Sequence, residues 1–406
     1  MSDDRDLRHS AVIVGAARTP IGRFMGGLAP LGAPALGAVA IRAALERSGI
    51  ERGDLDDVIL GNVVSAGAGQ APARQAALQG GVPDTVGAMT VSRVCGSGLQ
   101  AVMLAAQAIR AGDARVILAG GMESMSNVPY YLNGYRQGVK FGNQQLVDGL
   151  IHDGLWCAFE ECHMGGHAEY TALKAGISRA DADQFALDSH RKAIQAIDGG
   201  CFREEIARVT IRARKGDVIV DTDEAPRRDT TLEALGKLKP AFTADAPEDV
   251  TDPVVTAGNS PGLNDGAAAL VVASEEYAKA HGLTILARVS SYANGAVAPR
   301  DLFFAPVRAV RKLMEKDRRT IDDYDLIEVN EAFAVQALAD GRELGMDFDR
   351  VNVNGGAVAL GHPIGASGSR ILVTLLHAMK QRDAETGLAT LCLGGGDAVA
   401  LSVERV

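Results

Sequence analysis

Two distant stretches of this chain resemble each other. "CGSGLQAVMLAAQAIRAG" begins at Cys95 and leads into "ARVILAGG", while "IGASGSRILVTLLHAMKQR" begins at Ile364 and leads into "LATLCLGGG". In each, glycines open a helix that is apolar on most sides, and a strand follows. A helix without a polar face has to be buried. Two such βα layers, each with a glycine-rich turn, predict a pseudo-duplicated fold with a site between its halves. Similar patterns recur in many α/β chains, so the repeat by itself leaves the duplication open.

The flanking segments keep the same alternation. "SAVIVGAART", "DDVILGNVV" and "GAMTVSRV" read as strands, with "PALGAVAIRAALERSGI" and "GQAPARQAALQGG" as helices between them. Later, "LARVSSYANG", "YDLIEVN" and "DRVNVNGG" read as strands, and "APVRAVRKLMEK" and "EAFAVQALADGRELG" as helices. Strands alternating with helices predict a parallel, buried sheet. From about residue 126 to 252 the text is polar and irregular. Its clearest element is "SRADADQFALDSHRKAIQAIDGG", a helix capped by Ser178 with acids early and glycines at its end. "DGAAALVVAS" then returns to strand. The predicted organisation is a first half over 1–125 completed by about 253–280, an insertion over 126–252, and a second half over 281–406.

Composition narrows the function classes. The chain has 406 residues, 47% hydrophobic and 23% charged, enough for large cores. Its 47 glycines and 4% aromatics suit closely packed α/β layers. A net charge of −10 argues against a general nucleic-acid or anionic-membrane surface, but not against a local basic pocket. "MSDDRDLRHSAVIVGAARTP" carries no apolar signal region, and no run reaches the roughly 18 apolar residues of a spanning helix. We therefore expect a cytoplasmic protein without membrane or nucleic-acid partners. The five cysteines are odd in number and widely spread, which argues against a disulfide framework and turns attention to thiol chemistry.

Cys95 sits at the mouth of the first buried helix. There, unpaired backbone N–H groups and the positive end of the helix dipole lower a thiol's pKa, and Gly96 and Gly98 leave room for a carbonyl to approach. A small buried space-filler would fit the same position. A nucleophilic thiol needs a base, and "NGGAVALGHPIGASGS" places His362 on the equivalent turn of the repeat, followed by Pro363. "LCLGGGDAVA" puts Cys392 at a strand end before three glycines. Three small-residue turns carrying Cys, His and Cys form a coherent set. A competing signal is "WCAFEECHMGGHAE", where Cys157, Cys162, His163, His167 and Glu169 crowd together. Gly165 and Gly166 interrupt any helix that would align the two histidines, and the spacing fits no common zinc pattern, so no metal is expected.

"VCGSGLQAV", "GGMES", "TAGN…GLNDGAAA", "NEAFA", "NVNGGAVALGHPIGASGSR" and "CLGGG" together resemble the thiolases, in order and spacing across nearly the whole chain. The resemblance implies a five-layered α-β-α-β-α sandwich of two βαβαβαββ halves, with an inserted loop domain covering coenzyme A. It implies an acyltransferase with CoA thioesters as substrates, no cofactor, and a homo-oligomer, dimer or tetramer, in fatty acid metabolism such as β-oxidation. Cys95 would carry the acyl group and His362 would take its proton. Cys392 would act as acid and base, and Asn330 would hold a water that forms an oxyanion hole with His362. The backbone N–H groups of Cys95 and Gly394 would form the second hole. His163, Met164, Arg227, Phe242, Ala257, Ala332 and Phe333 fall at family positions for CoA or substrate.

The chain also departs from the family. Pro261 stands where many thiolases have Ser, "LFFAP" puts Phe303 and Phe304 near the expected acyl pocket, and Asp397-Ala398 replaces a common Met-Gly. Trp156-Cys157 is likewise unusual. These changes touch acyl-chain preference and CoA contacts, Pro261 among them, rather than the four catalytic positions. Two other readings remain: a ketoacyl-synthase-like condensing enzyme, which would carry His or Asn where Cys392 stands, and a non-catalytic acyl-CoA or lipid-binding relative.

Overall fold

The structure, a computed structural model, describes residues 7–406. The first six residues of the segment read above as lacking a signal region lie outside the described residues. Nine strands form the frame: β1 (Ala11–Arg18), β2 (Asp57–Gly61), β3 (Met89–Val91), β4 (Val116–Ser124), β5 (Asn264–Ser274), β6 (Ala287–Ala296), β7 (Leu326–Val329), β8 (Thr386–Leu393) and β9 (Asp397–Glu404). They run in the order β7-β8-β9-β6-β1-β5-β4-β2-β3, and the short strand Gly22–Arg23 pairs with β5. Within the sheet the two halves join where Val12 and Ile13 of β1 meet Arg288 and Ala287 of β6.

Eight helices matter for the site: α1 (Ala33–Ser48), α2 (Pro72–Gln79), α3 (Ser97–Ala111), α4 (Met164–Ala175), α5 (Arg179–Gly199), α6 (Ala305–Asp317), α7 (Ala334–Leu344) and α8 (Ile364–Arg382). The two repeat helices, α3 and α8, pack on each other, and each touches strands of both halves. One apolar core surrounds them, with Leu99, Met103 and Ile109 of α3 against Ile371, Leu375 and Met379 of α8. Helix α1 covers the outer face of the first half, where Leu36, Ile41 and Leu45 pack on Val12, Leu118 and Val271. Helix α6 covers β6, β8 and β9. The layers therefore run helix, sheet, helix, sheet, helix. Between β4 and β5 lie α4 and α5, the latter opened by a capping box between Ser178 and Asp181. Buried Arg18 at the end of β1 ties this segment down through Glu205 (2.5 Å) and a two-pronged pair with Asp223 (2.7 and 2.9 Å).

Two sequence expectations need correction. The sheet is mixed, not parallel: β2 runs parallel to β3 and β4, and β7 to β8, but β5 is antiparallel to β1 and β4. The long excursion before β5 lets the chain re-enter the sheet from the opposite end, which short βα connections do not allow. The segment "DRVNVNGG" forms no strand; it makes one isolated bridge, Val351 with Ile327. Asn352 has φ of 45°, and its amide replaces a ladder partner. Its Oδ1 accepts from Val329 N–H at 2.9 Å, and its Nδ2 donates to the Val329 carbonyl at 2.9 Å.

Candidate active site

The three small-residue turns meet because α3 and α8 approach each other at their N-terminal ends. A Cβ on Gly98 would lie 2.7 Å from the backbone nitrogen of Ser369, and one on Gly368 would collide with the backbone of Leu99. Only glycines permit this contact, and it brings the Cys95 and His362 turns to one place. Gly96 likewise yields its space to the Leu393 side chain. Gly96 and Gly98 thus hold the halves together.

Cys95 follows β3 on a turn in which Val94 is left-handed, with φ of 46°. The backbone N–H groups of Cys95 itself and of Gly394 both reach its sulfur and favour the thiolate, but burial outweighs them, and Glu123 adds to it. The thiol is pushed up to about 12, so the expected lowering by the helix terminus is overcome in the free protein. Cys392, in β8, is fully buried, and burial raises its thiol well above the ordinary value, with Cys95 adding to the effect. Both sulfurs rest as thiols.

His362 has a ring nitrogen free to accept a proton. Ser367 Oγ donates its hydrogen to the Pro363 carbonyl at 2.9 Å, so at 2.6 Å from Nδ1 it must accept from the ring. This fixes the ring proton on Nδ1 and leaves a lone pair on Nε2. Burial, with the Arg370 charge adding to it, lowers the imidazole to about 3. It is neutral at physiological pH. Asn330 Nδ2 lies 3.5 Å from Nε2, and the buried Asn330 Oδ1 has no hydrogen-bond partner. The backbone of His362 is held by Asn264 Oδ1 at 2.9 Å.

Two supporting groups escaped sequence reasoning. Glu123, within "GGMES", accepts from Asn62 Nδ2 (2.7 Å) and from the N–H groups of Val63, Val64 and Gly365. It clamps the loop after β2 to the start of α8. Burial raises its carboxyl to about 7 despite these four donors. The second is an ion pair. Arg93, two residues before Cys95, meets Asp397 Oδ2 at 2.9 and 2.7 Å and also donates to Gln100 Oε1 at 2.6 Å. The unusual Asp397 therefore links the Cys95 turn to the Gly394–Gly396 turn.

The predicted substrate residues divide into two groups. Met164, Phe242, Ala332, Phe333, Phe303 and Phe304 pack in one apolar cluster with Cys392. Phe333 meets Phe242 and Phe303 edge-on at 6.0 and 5.4 Å. His163 stacks on Phe242 at 4.8 Å, and its Nδ1 accepts from Gly165 N–H to cap α4. Arg227 and Ala257 line a cleft of about 230 Å³ that also takes in Arg23, Phe24, Ser260 and Asn264. Because Asn264 holds His362, the cleft runs from exposed basic residues toward the His362 turn. Arg23 and Phe24 were not singled out in the sequence. Pro261 sits between two lining residues without lining the cleft itself. Among the described residues no group of three His, Cys, Asp or Glu side chains is arranged to hold a metal ion, and no helix is long and apolar enough to cross a membrane.

Comparison with known proteins gives a consistent picture. The family profile "Thiolase, N-terminal domain" matches residues 11–276, and "Thiolase, C-terminal domain" matches 283–405. An acetyl-CoA acetyltransferase of Pseudomonas aeruginosa is 56% identical over 97% of this chain and 99% of its own length. One from Cupriavidus necator is 54% identical with the same coverage. The crystal structure of the Bacillus anthracis acetyl-CoA acetyltransferase superposes with a TM-score of 0.95 at 43% identity, covering 98% of this chain and 99% of that one.

Proposed function

This chain belongs to the thiolase family and is an acyltransferase, and we propose that it moves two-carbon units between CoA thioesters, joining two acetyl-CoA into acetoacetyl-CoA or reversing that step. Its similarity to acetyl-CoA acetyltransferases supports the two-carbon substrate. The observation that carries the mechanism is the convergence of two backbone N–H groups on the Cys95 sulfur, beside a neutral His362 and a buried Cys392 thiol.

In the first half-reaction Nε2 of His362 takes the Cys95 proton and the sulfur attacks the acetyl carbonyl. The N–H groups of Cys95 and Gly394 hold the resulting oxyanion. Collapse expels the CoA thiolate, which takes its proton from Cys392. Burial keeps Cys392 protonated until that moment, and afterwards it is the thiolate that the second half-reaction needs. It removes the α-proton of a second acetyl-CoA, and the enolate oxygen is held by protonated His362 and a water on Asn330. An imidazolium is costly in this pocket until a negative oxygen stands beside it. The carbanion attacks acetyl-Cys95, the Cys95 thiolate leaves, and it recovers its proton from His362. The cycle balances with four side chains, and we assign it no resident cofactor.

Met164, His163 and the phenylalanine cluster would form the acyl wall, and Arg227 with Arg23 would meet the CoA phosphates. We assign residues 126–252 the role of covering CoA. The need for two free thiols favours a reducing compartment, the cytoplasm. The exposed Tyr130, Tyr135, Phe141 and Leu146 favour a homo-oligomer, dimer or tetramer, and a fatty-acid role such as β-oxidation follows if longer chains are accepted. Initial rates of CoA-dependent cleavage test the substrate: acetoacetyl-CoA should be cleaved at least about tenfold faster than a long-chain 3-ketoacyl-CoA, and equal rates would refute the two-carbon assignment.

A further inference from the structure

Cys157 and Cys162 take no part in the cycle above, yet they face each other directly. In a two-stranded antiparallel hairpin, Trp156 pairs with His163 and Cys157 with Cys162. Directly opposed residues in such a ladder have Cα atoms about 4.5–5.5 Å apart, within the roughly 4.4–6.8 Å that a disulfide bridges. Both are free thiols, Cys157 buried and Cys162 half-buried. Ala158, Phe159, Glu160 and Glu161 close the hairpin, with Glu161 left-handed at φ of 51°. The tip adjoins the active site: a Cβ on Gly395 would lie 3.3 Å from the Phe159 ring. The strand after it carries His163, which caps α4.

We propose that Cys157 and Cys162 form a reversible disulfide across this hairpin in response to a small-molecule disulfide such as oxidised glutathione. Cys162, the more accessible, loses its proton to solvent and attacks one sulfur of the glutathione disulfide. That S–S bond breaks and one glutathione leaves as a thiol. The Cys157 sulfur then displaces the second glutathione from Cys162, and its proton leaves with that thiol. Two protein thiols are oxidised and one glutathione disulfide is reduced to two thiols. The new bond spans four intervening residues, so its effect is local: it fixes Phe159 over the glycine turn that follows Cys392. Burial raises the Cys162 thiol to about 11, with Cys157, Asp245 and Glu160 adding to it. Exchange should therefore be slow near neutrality and quicken about tenfold per pH unit.

The test needs no activity measurement. Folded protein is incubated with oxidised glutathione, its remaining thiols are alkylated, and a glutamate-specific protease cuts at the hairpin tip. The fragments carrying Cys157 and Cys162 should stay joined until reductant is added, and should form about tenfold faster per pH unit. Cys157→Ser should leave a stable glutathione adduct on Cys162, and Cys162→Ser should leave Cys157 unmodified. The proposal is overturned if wild-type Cys162 keeps its glutathione while Cys157 stays a thiol, if both remain free, or if the link forms only in the unfolded chain.

Discussion

The Cys95, His362 and Cys392 turns and the cleft that leads toward them are built by different means. At the catalytic end, Cys95, His362 and Cys392 are placed by backbone turns, by the glycine contact between α3 and α8, and by buried clamps from Glu123 and Ser367. At the entrance, Arg227 and Phe24 stand on loops and Arg23 ends a two-residue strand, all as exposed side chains. One end fixes where charge develops; the other offers surface. Substitutions at the first should therefore lower turnover, and those at the second should weaken binding.

The sharpest break in that contrast would come at Cys392. Its change to Ala should reduce kcat by about 10²–10⁴-fold while leaving the KM for acetyl-CoA within about threefold, as steady-state rates would show. A mainly KM effect would mean that the buried end also binds. Stability against pH probes the same burial. Folded His362 titrates near 3, and an unfolded histidine near 6.5. Between these values the unfolded chain binds a proton that the folded chain refuses. Wild-type stability should therefore fall as pH drops through that window, by about 1.4 kcal/mol per unit from this group. Urea unfolding of His362→Asn from pH 6.5 down to about 4.5 should show a correspondingly shallower slope.

Smaller effects sharpen the comparison. Ser367→Ala frees the His362 tautomer and should lower kcat by about tenfold with little change in KM; Ser367→Thr should restore most of it. At the entrance, Arg227→Ala should raise the KM for CoA thioesters about fivefold, a loss of about 1 kcal/mol, with kcat within twofold. A shorter substrate lacking the nucleotide should show no such difference. Arg93→Gln is expected to be smallest, about two- to threefold in kcat, because the pair with Asp397 is partly exposed. The double variant with Asp397→Asn should be no worse than either single one.

How far the sequence discloses this site follows the same division. The three turns are legible because glycine, cysteine and histidine at helix and strand ends carry their reasons locally. The capping box of α5 and the two buried helices are legible for the same cause. Arg93 and Asp397 are not: 304 positions separate them, and each alone is an unexplained charge. Glu123 and Ser367 lie inside quoted motifs, but their work depends on partners that only folding supplies. Asn352 defeats the strand pattern because its side chain does what a backbone neighbour would do. The parallel sheet is misjudged because alternation says nothing about how a chain returns from a long excursion.

The central claim is that two halves of the chain assemble one thiol that carries the acyl group. Brief incubation with acetyl-CoA followed by acid quench and peptide mass spectrometry tests it directly. One acetyl group should appear on the peptide containing Cys95 and disappear when free CoA is added. No adduct, or an adduct on Cys392 with Cys95 left free, would contradict the account.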